Sequence, residues 1–143
     1  MRITSHAFLM AIVSISSHLL GVRQPDGWLR KILCMKRARS RYAYISERWV
    51  FPGGMVEEGE SDHEALLREI QEEMRWDIFV GKKIAEFDYD YPDFTTHLAA
   101  YYCRCDDKEG FKLLEHLDYR WLSREELDTL DWTAADEALL KWL

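Results

Sequence analysis

An α/β fold is what this sequence predicts, and three observations predict it. Apolar residues recur with strand periodicity in several segments, a capped amphipathic helix starts at Asp62, and a second amphipathic helix runs from about Ala134. At 143 residues there is room for one domain, 1–143, and a content of 48% hydrophobic and 13% aromatic residues supplies a core for it.

The first strand is expected at about residues 6–15, in the run AFLMAIVSI. Its apolar character after Arg2 has something of a secretory signal, but no small-x-small cleavage pattern follows, so a buried strand is preferred. No run is long enough to span a membrane. Pro25-Asp26-Gly27 is a turn signal, because proline presets one φ and glycine accepts a positive one. Lys31 to Arg37 reads as a second strand, followed by a polar, basic exposed loop, ARSRYAYISER. Two readings stand for Arg37 at that strand's end: a solvated cation, or a contact to phosphate.

Trp49 to Gly54, WVFPGG, forms a loop whose glycines allow close approach to a ligand. Ser61 and Glu64 make a capping box that fixes the helix start at Asp62. At about 100° per residue, Leu66, Leu67, Ile70 and Met74 share a stripe and Glu69, Glu72 and Glu73 share the neighbouring arc. Like charges at four-residue spacing, close to the negative end of a helix, call for something cationic. Grouped carboxylates suit Mg²⁺ or Mn²⁺. Arg68 is placed to pair with neighbouring carboxylates, Glu60 foremost, and to orient them.

Beyond the helix, IFVGKKIAEFDYDY alternates, with Phe87, Tyr89 and Tyr91 on one side and Asp88 and Asp90 on the other. Pro92-Asp93 interrupts it, THLAAYYCRC returns as a strand, and Asp106 to Gly110 is the next turn. His97, within these strands, reads as a packed or hydrogen-bonded residue, since no nucleophile pattern accompanies it. A strand around Tyr119 to Leu122, a short helix after the Ser123 cap and the helix from Ala134 complete the chain.

A formal charge of -7 with no clustered basic residues argues against a nucleic-acid polymer or an anionic membrane as partner. Eight of the 26 acidic residues lie between Glu57 and Glu73, so much of the acidity is local. Three cysteines, an odd number without metal spacing, suggest a reduced, cytoplasmic setting.

Residues 54–76 fit the spacing G-x5-E-x7-R-E-U-x-E-E-x-G-U, U being apolar, at Gly54, Glu60, Arg68, Glu69, Ile70, Glu72, Glu73 and Trp76. This resembles the signature of the Nudix hydrolases. The one departure is Arg75, where the pattern has its second glycine; a glycine there would serve as a left-handed helix end. The resemblance implies an α/β/α sandwich, a mixed curved sheet with the catalytic helix on one face and the C-terminal helix on the other. It implies a Mg²⁺ site, Mn²⁺ being acceptable, made by Glu69, Glu72, Glu73 and the carbonyl of Gly53. The RWLS segment looks like the MutT-like branch, in which a preceding glutamate reaches the metal as ligand or base; Glu115 matches, and a solvated loop acid is the other reading. Met55 stands where many members carry a phosphate-contacting lysine.

MutT-like members also read the base near the start of the last helix and after the Y-x-(F/Y)-P-D turn, positions held here by Asp136 and Phe94. Asp136 is open to two readings, base recognition or a helix cap, and Phe94 can stack on a base. The implied activity is hydrolysis of a nucleoside triphosphate to the monophosphate and pyrophosphate; if Asp136 reads the base, its acceptor-only carboxylate favours cytosine or guanine nucleotides, oxidised or methylated forms included. Other family substrates, namely ADP-ribose, nucleotide sugars and dinucleotide polyphosphates, remain open, as does a non-hydrolytic nucleotide-binding module. The chain is expected to work on its nucleotide as a monomer or homodimer.

Overall fold

The computed structural model describes residues 3–16, 30–40, 45–107 and 110–143. In chain order the elements are β1 (Ile3–Ser16), β2 (Arg30–Lys36), β3 (Trp49–Val50), β4 (Gly53–Met55), α1 (Asp62–Met74), β5 (Phe79–Asp90), β6 (Phe94–Arg104), β7 (Asp118–Leu122), α2 (Arg124–Leu127) and α3 (Ala134–Leu139). A 3₁₀ turn, Leu140–Trp142, follows α3. The expected turn at Pro25-Asp26-Gly27, residues 41–44 of the basic loop and Lys108-Glu109 lie outside the described residues.

All the strands join one mixed sheet, in the order β3-β2-β1-β6-β5, with β4 also on β1 and β7 also on β2. β1 runs parallel to β6 along one edge. Its other edge is divided: Phe8–Met10 pair with β4, and Ser14–Ser16 pair with β2. Two strands therefore leave the same edge of β1 at different heights, and the sheet splays between them.

Alternation along the central strands feeds two cores. Leu9, Ala11, Val13 and Ile15 of β1 meet Ala65, Leu66, Ile70 and Met74 of α1 on one face. Met10 and Ile12, facing the other way, meet Leu127 of α2 and Ala135 and Leu139 of α3. The sandwich is thus built by period-2 burial on both faces of the sheet. Truncating any of the fully buried α1 residues Leu66, Ile70 or Met74 to alanine would cost about 2–5 kcal/mol.

Both ends of α1 follow from local chemistry. The Glu64 N–H donates to the Ser61 hydroxyl at 3.1 Å, and the Ser61 N–H donates to the Glu64 carboxylate at 3.2 Å. At the other end Arg75 sits at φ 52, ψ 46, in the left-handed region, and its N–H donates to the Gln71 carbonyl. The freed carbonyl of Met74 accepts from the Lys112 N–H at 2.8 Å.

Three local expectations need correction. Leu67 is 45% exposed and leaves the apolar stripe, while Ala65 is fully buried. The buried arc of α1 is rotated toward the carboxylates, because the helix packs over β4 on that side. The WVFPGG segment is two short strands, β3 and β4, instead of a plain loop, since β1 has free edge for β4 to pair with. The second strand ends at Lys36, one residue early, and Arg37 lies just beyond it.

Candidate active site

Arg68 is the hub of the carboxylate cluster. Its guanidinium holds Glu60 with two bonds, Nε to Oε2 at 2.7 Å and Nη2 to Oε1 at 2.9 Å. Nη1 donates to Glu69 at 2.9 Å and Glu72 at 3.2 Å, and Nη2 also donates to the Met55 carbonyl at 2.9 Å. One planar fork thereby fixes the loop before α1 against the helix. The hydrogen bonds from Arg68 hold the Glu60 carboxyl below the usual carboxylate range.

The two glycines set the distance between β4 and its neighbours. A Cβ on Gly53 would lie 1.9 Å from the Leu9 carbonyl oxygen, and one on Gly54 would lie 2.2 Å from the Glu69 carboxyl carbon. Gly54 is therefore what lets Glu69 lie flat across β4.

Where the sheet splays there is a cavity of about 800 Å³. Gly53, Gly54, Glu69, Glu73 and Glu115 line it, together with Arg37 and Arg39 from the segment after β2. Tyr91, Phe94, Thr96, Phe51, Ala135 and Asp136 form an aromatic and polar wall. Of the site residues expected from sequence, Gly53, Glu69, Glu73, Glu115, Arg37, Phe94 and Asp136 are brought to this cavity. Glu60 and Arg68 stand behind it as its support. Glu72 is not part of the wall; its side chain is 61% exposed and pairs with Arg68 at the rim.

Burial pushes the Glu73 carboxyl up to about 8, helped by a hydrogen bond to Glu69 and the charges of Glu69 and Glu115, with Arg37 opposing. Burial likewise raises Asp136 to about 6, against hydrogen bonds from Thr133 and Phe51. Those bonds are short: the Phe51 N–H reaches Oδ2 at 2.8 Å and the Thr133 hydroxyl reaches Oδ1 at 2.6 Å. Thr133 is the residue preceding α3, so Asp136 ties the helix start to Phe51, in the link between β3 and β4. Phe51 stacks on Trp132 with centroids 4.5 Å apart, and Tyr91 packs on Phe94 at 5.2 Å while its hydroxyl accepts from the Ala135 N–H.

Among the described residues no three His, Cys, Asp or Glu side chains converge as a ready-made ligand group. The donor set nevertheless fits a hard divalent cation. Burial and the adjoining Glu69 carboxylate disfavour an ionised Glu73, a penalty that a cation between them would relieve, and Mg²⁺ needs only one or two carboxylates besides water and phosphate oxygens.

His97 lies away from the cavity, its Nδ1 2.6 Å from the Asp88 carboxylate. Sequence reasoning did not single out Tyr91, Thr133 or His116 as part of the wall. A tyrosine at a turn and a lone histidine after a glutamate have no spacing signature. His116 Nδ1 is buried without a hydrogen-bond partner, and burial lowers the pKa of its ring. The three cysteines are free and buried, with thiols pushed up by burial to about 12 at Cys34 and Cys103 and about 11 at Cys105. No helix among the described residues is long and apolar enough to cross a membrane.

Comparison with known proteins places these features in context. A family model described as the NUDIX domain matches residues 18–143. The chain is 34% identical over 101 residues to putative 8-oxo-dGTP diphosphatase 2 of Mycobacterium tuberculosis, covering 68% of this chain and 70% of that one. It is 32% identical over 110 residues to the CTP pyrophosphohydrolase of Escherichia coli (strain K12), covering 77% and 78%. The solution structure of MutT, of the Nudix hydrolase family, from methicillin-resistant Staphylococcus aureus 252 superposes with a TM-score of 0.64 at 34% identity, over 99% of this chain and 95% of that one.

Proposed function

The chain belongs to the NUDIX family and is a pyrophosphohydrolase, and from that premise we propose that it hydrolyses nucleoside triphosphates of cytosine or guanine type, oxidised or methylated forms included, to the monophosphate and pyrophosphate. The observation that carries this reading is one cavity lined both by the carboxylate cluster and by an aromatic wall that contains Asp136. A nucleotide has the matching parts: a polyanion that needs cations and a flat base that stacks. Relatives described as 8-oxo-dGTP diphosphatase and CTP pyrophosphohydrolase support the choice of bases.

Family members typically depend on a divalent metal. Here Glu69 and Glu73, the Gly53 carbonyl and Glu115 are the proposed Mg²⁺ ligands, with Glu72 reaching in from the rim. When bound, the ion would screen the phosphate chain and lower the pKa of an attacking water. The chain's own residues do the positioning. Arg68 holds Glu60, Glu69 and Glu72 in fixed orientation, so that charge stabilisation needs no reorganisation during the reaction. Arg37, whose charge reaches both Glu73 and Asp136, is placed to neutralise phosphate. Its role grows because Met55, not a lysine, lines the cavity at its position.

For the base, Asp136 spends two of its roughly four acceptor positions on Phe51 and Thr133, which leaves others for the donors of a cytosine amine or a guanine N1–H and N2–H edge. Phe94 adds stacking, which is tolerant of base identity. The whole chain acts as one catalytic domain. The experiment is a phosphate-release assay with added pyrophosphatase, in Mg²⁺, across CTP, 8-oxo-dGTP, GTP, ATP and UTP, with ADP-ribose and a dinucleotide polyphosphate as contrasts. Turnover of CTP or 8-oxo-dGTP well above ATP and UTP supports the reading; hydrolysis confined to ADP-ribose or the dinucleotide overturns it.

A further inference from the structure

Two threonines stand side by side near the start of β6, and the strand sends them to opposite faces of the sheet. Thr95 Oγ1 donates to the Asp90 carboxylate at 2.5 Å. Thr96 is turned the other way, onto the face it shares with Phe94 and Leu98, and these three residues line the cavity. Thr96 is only 6% exposed, yet no hydrogen bond among the described residues reaches its hydroxyl. Nor is that hydroxyl sealed in the packing: among the described residues, the buried side-chain atom that is both sealed and unpaired is His116 Nδ1. The open space on that face of β6 is the cavity, so Thr96 Oγ1 opens into it.

Its neighbours in the wall are already engaged with one another. The Tyr91 hydroxyl accepts from the Ala135 N–H at 3.0 Å, and the Thr133 hydroxyl donates to Asp136 at 2.6 Å. An ionised Asp136 only accepts. Besides Thr96, this wall therefore offers rings and an acceptor, and Thr96 supplies the donor. A hydroxyl kept unpaired in such a wall costs stability, and a ligand that pairs with it recovers the bond. The groups that suit a phosphate chain come from elsewhere: Glu69 and Glu73 from α1, Arg37 from the segment after β2 and Glu115 from the segment before β7. Thr96 instead lies two residues from Phe94, whose ring packs on Tyr91 at 5.2 Å. The part of a nucleotide that fits an aromatic wall is its base, and each base edge carries ring nitrogens or carbonyl oxygens as acceptors.

We propose that Thr96 is a base-contacting, specificity-determining residue of this site, its hydroxyl donating to a ring nitrogen or carbonyl oxygen of the nucleobase that stacks on Phe94. The proposal rests on the nucleotide-hydrolase reading and adds a donor to it, the counterpart of the acceptor at Asp136. Thr96→Val keeps the branched shape and removes the hydroxyl; Thr96→Ser keeps the hydroxyl and removes the methyl. The Val variant loses no hydrogen bond within the described residues, so its melting temperature should equal or exceed the parent's, which separates a lost contact from a lost fold.

The test measures dissociation constants for CMP, 8-oxo-dGMP and inorganic tripolyphosphate in Mg²⁺, and kcat and KM for the triphosphate the parent turns over best, in the parent and both variants. For Thr96→Val the expected result is about fivefold weaker affinity for whichever monophosphate the parent binds better, as for one lost hydrogen bond, and a KM raised by about the same factor. Its kcat should stay within about twofold and its tripolyphosphate affinity should not change. Thr96→Ser should stay within about twofold of the parent in every measurement. A Val variant that matches the parent in monophosphate affinity overturns the proposal. Equal losses in Val and Ser overturn it too, since they mark shape and not the hydroxyl, and so does a parallel loss of tripolyphosphate affinity, which marks a phosphate contact. A parent that turns over no triphosphate sinks the functional reading, while the monophosphate comparison still decides the Thr96 contact; a parent that binds neither monophosphate overturns both.

Discussion

Glu73 is where the electrostatics of the site concentrate, packed with Glu69 and within reach of Glu115, its carboxyl held near 8 in the folded chain against 4.5 for an ordinary glutamate. A group with a raised folded pKa stabilises the fold fully below its unfolded value, and that contribution is lost as pH rises toward 8. Glu73→Gln should therefore raise the metal-free melting temperature at pH 8, with the advantage vanishing near pH 4.5. The same variant should lose more than 90% of Mg²⁺-dependent turnover, a loss of over about 1.4 kcal/mol of transition-state stabilisation. A Gln variant that keeps a tenth or more of the parent rate contradicts the ligand assignment. Asp136 follows the same sign over a lower window: its stabilising effect is present below pH 3.8 and lost as pH rises through about 6. Asp136→Asn should flatten that part of the stability profile. It should also shift selectivity among CTP, 8-oxo-dGTP, ATP and UTP by about tenfold, the scale of one hydrogen bond to a charged group. A flattened profile with unchanged selectivity would leave Asp136 as the tie between α3 and Phe51 and nothing more.

At the scale of the element, α1 is a helix whose start is well made and whose end is strained. Ser61 and Glu64 satisfy each other's backbone donors, while Arg75 occupies a left-handed conformation that costs a side chain with a Cβ roughly 1 kcal/mol. Arg75→Gly should stabilise the protein by about 1 kcal/mol, raising the melting temperature by about 4 °C, and leave kcat within twofold. Arg75→Ala, equally free of the guanidinium but retaining a Cβ, should gain little. Equal stabilisation by Gly and Ala would show that the guanidinium, not the backbone, is the source of strain. The strength of this element explains its legibility. Its capping box, its stripe and the Arg68–Glu60 pair all arise between residues eight or fewer positions apart, where spacing alone dictates geometry. Leu67 was misplaced because its exposure depends on which way α1 rolls over β4, and that is decided by the sheet.

At the scale of the molecule, the sheet is organised by β1, which shares one edge between β4 and β2 and so opens the cavity. That division is invisible to local periodicity, and with it the strand character of Gly53–Met55. The bond from the Phe51 N–H to Asp136 joins residues 85 apart, and the Leu117–Lys36 bond that brings His116 near Arg37 joins the end of β2 to a segment of no particular pattern. The carboxylate cluster around Arg68 could thus be read from one helix and the loop before it, whereas the aromatic wall of the cavity and the position of His116 required the fold. The central claim concerns which bond this assembly breaks. Hydrolysis of the best triphosphate substrate in ¹⁸O-labelled water, with the products separated and weighed by mass spectrometry, tests it most directly. Attack at the β-phosphorus predicts label in pyrophosphate and an unlabelled nucleoside monophosphate; label in the monophosphate, or release of inorganic phosphate with a nucleoside diphosphate, would contradict the account.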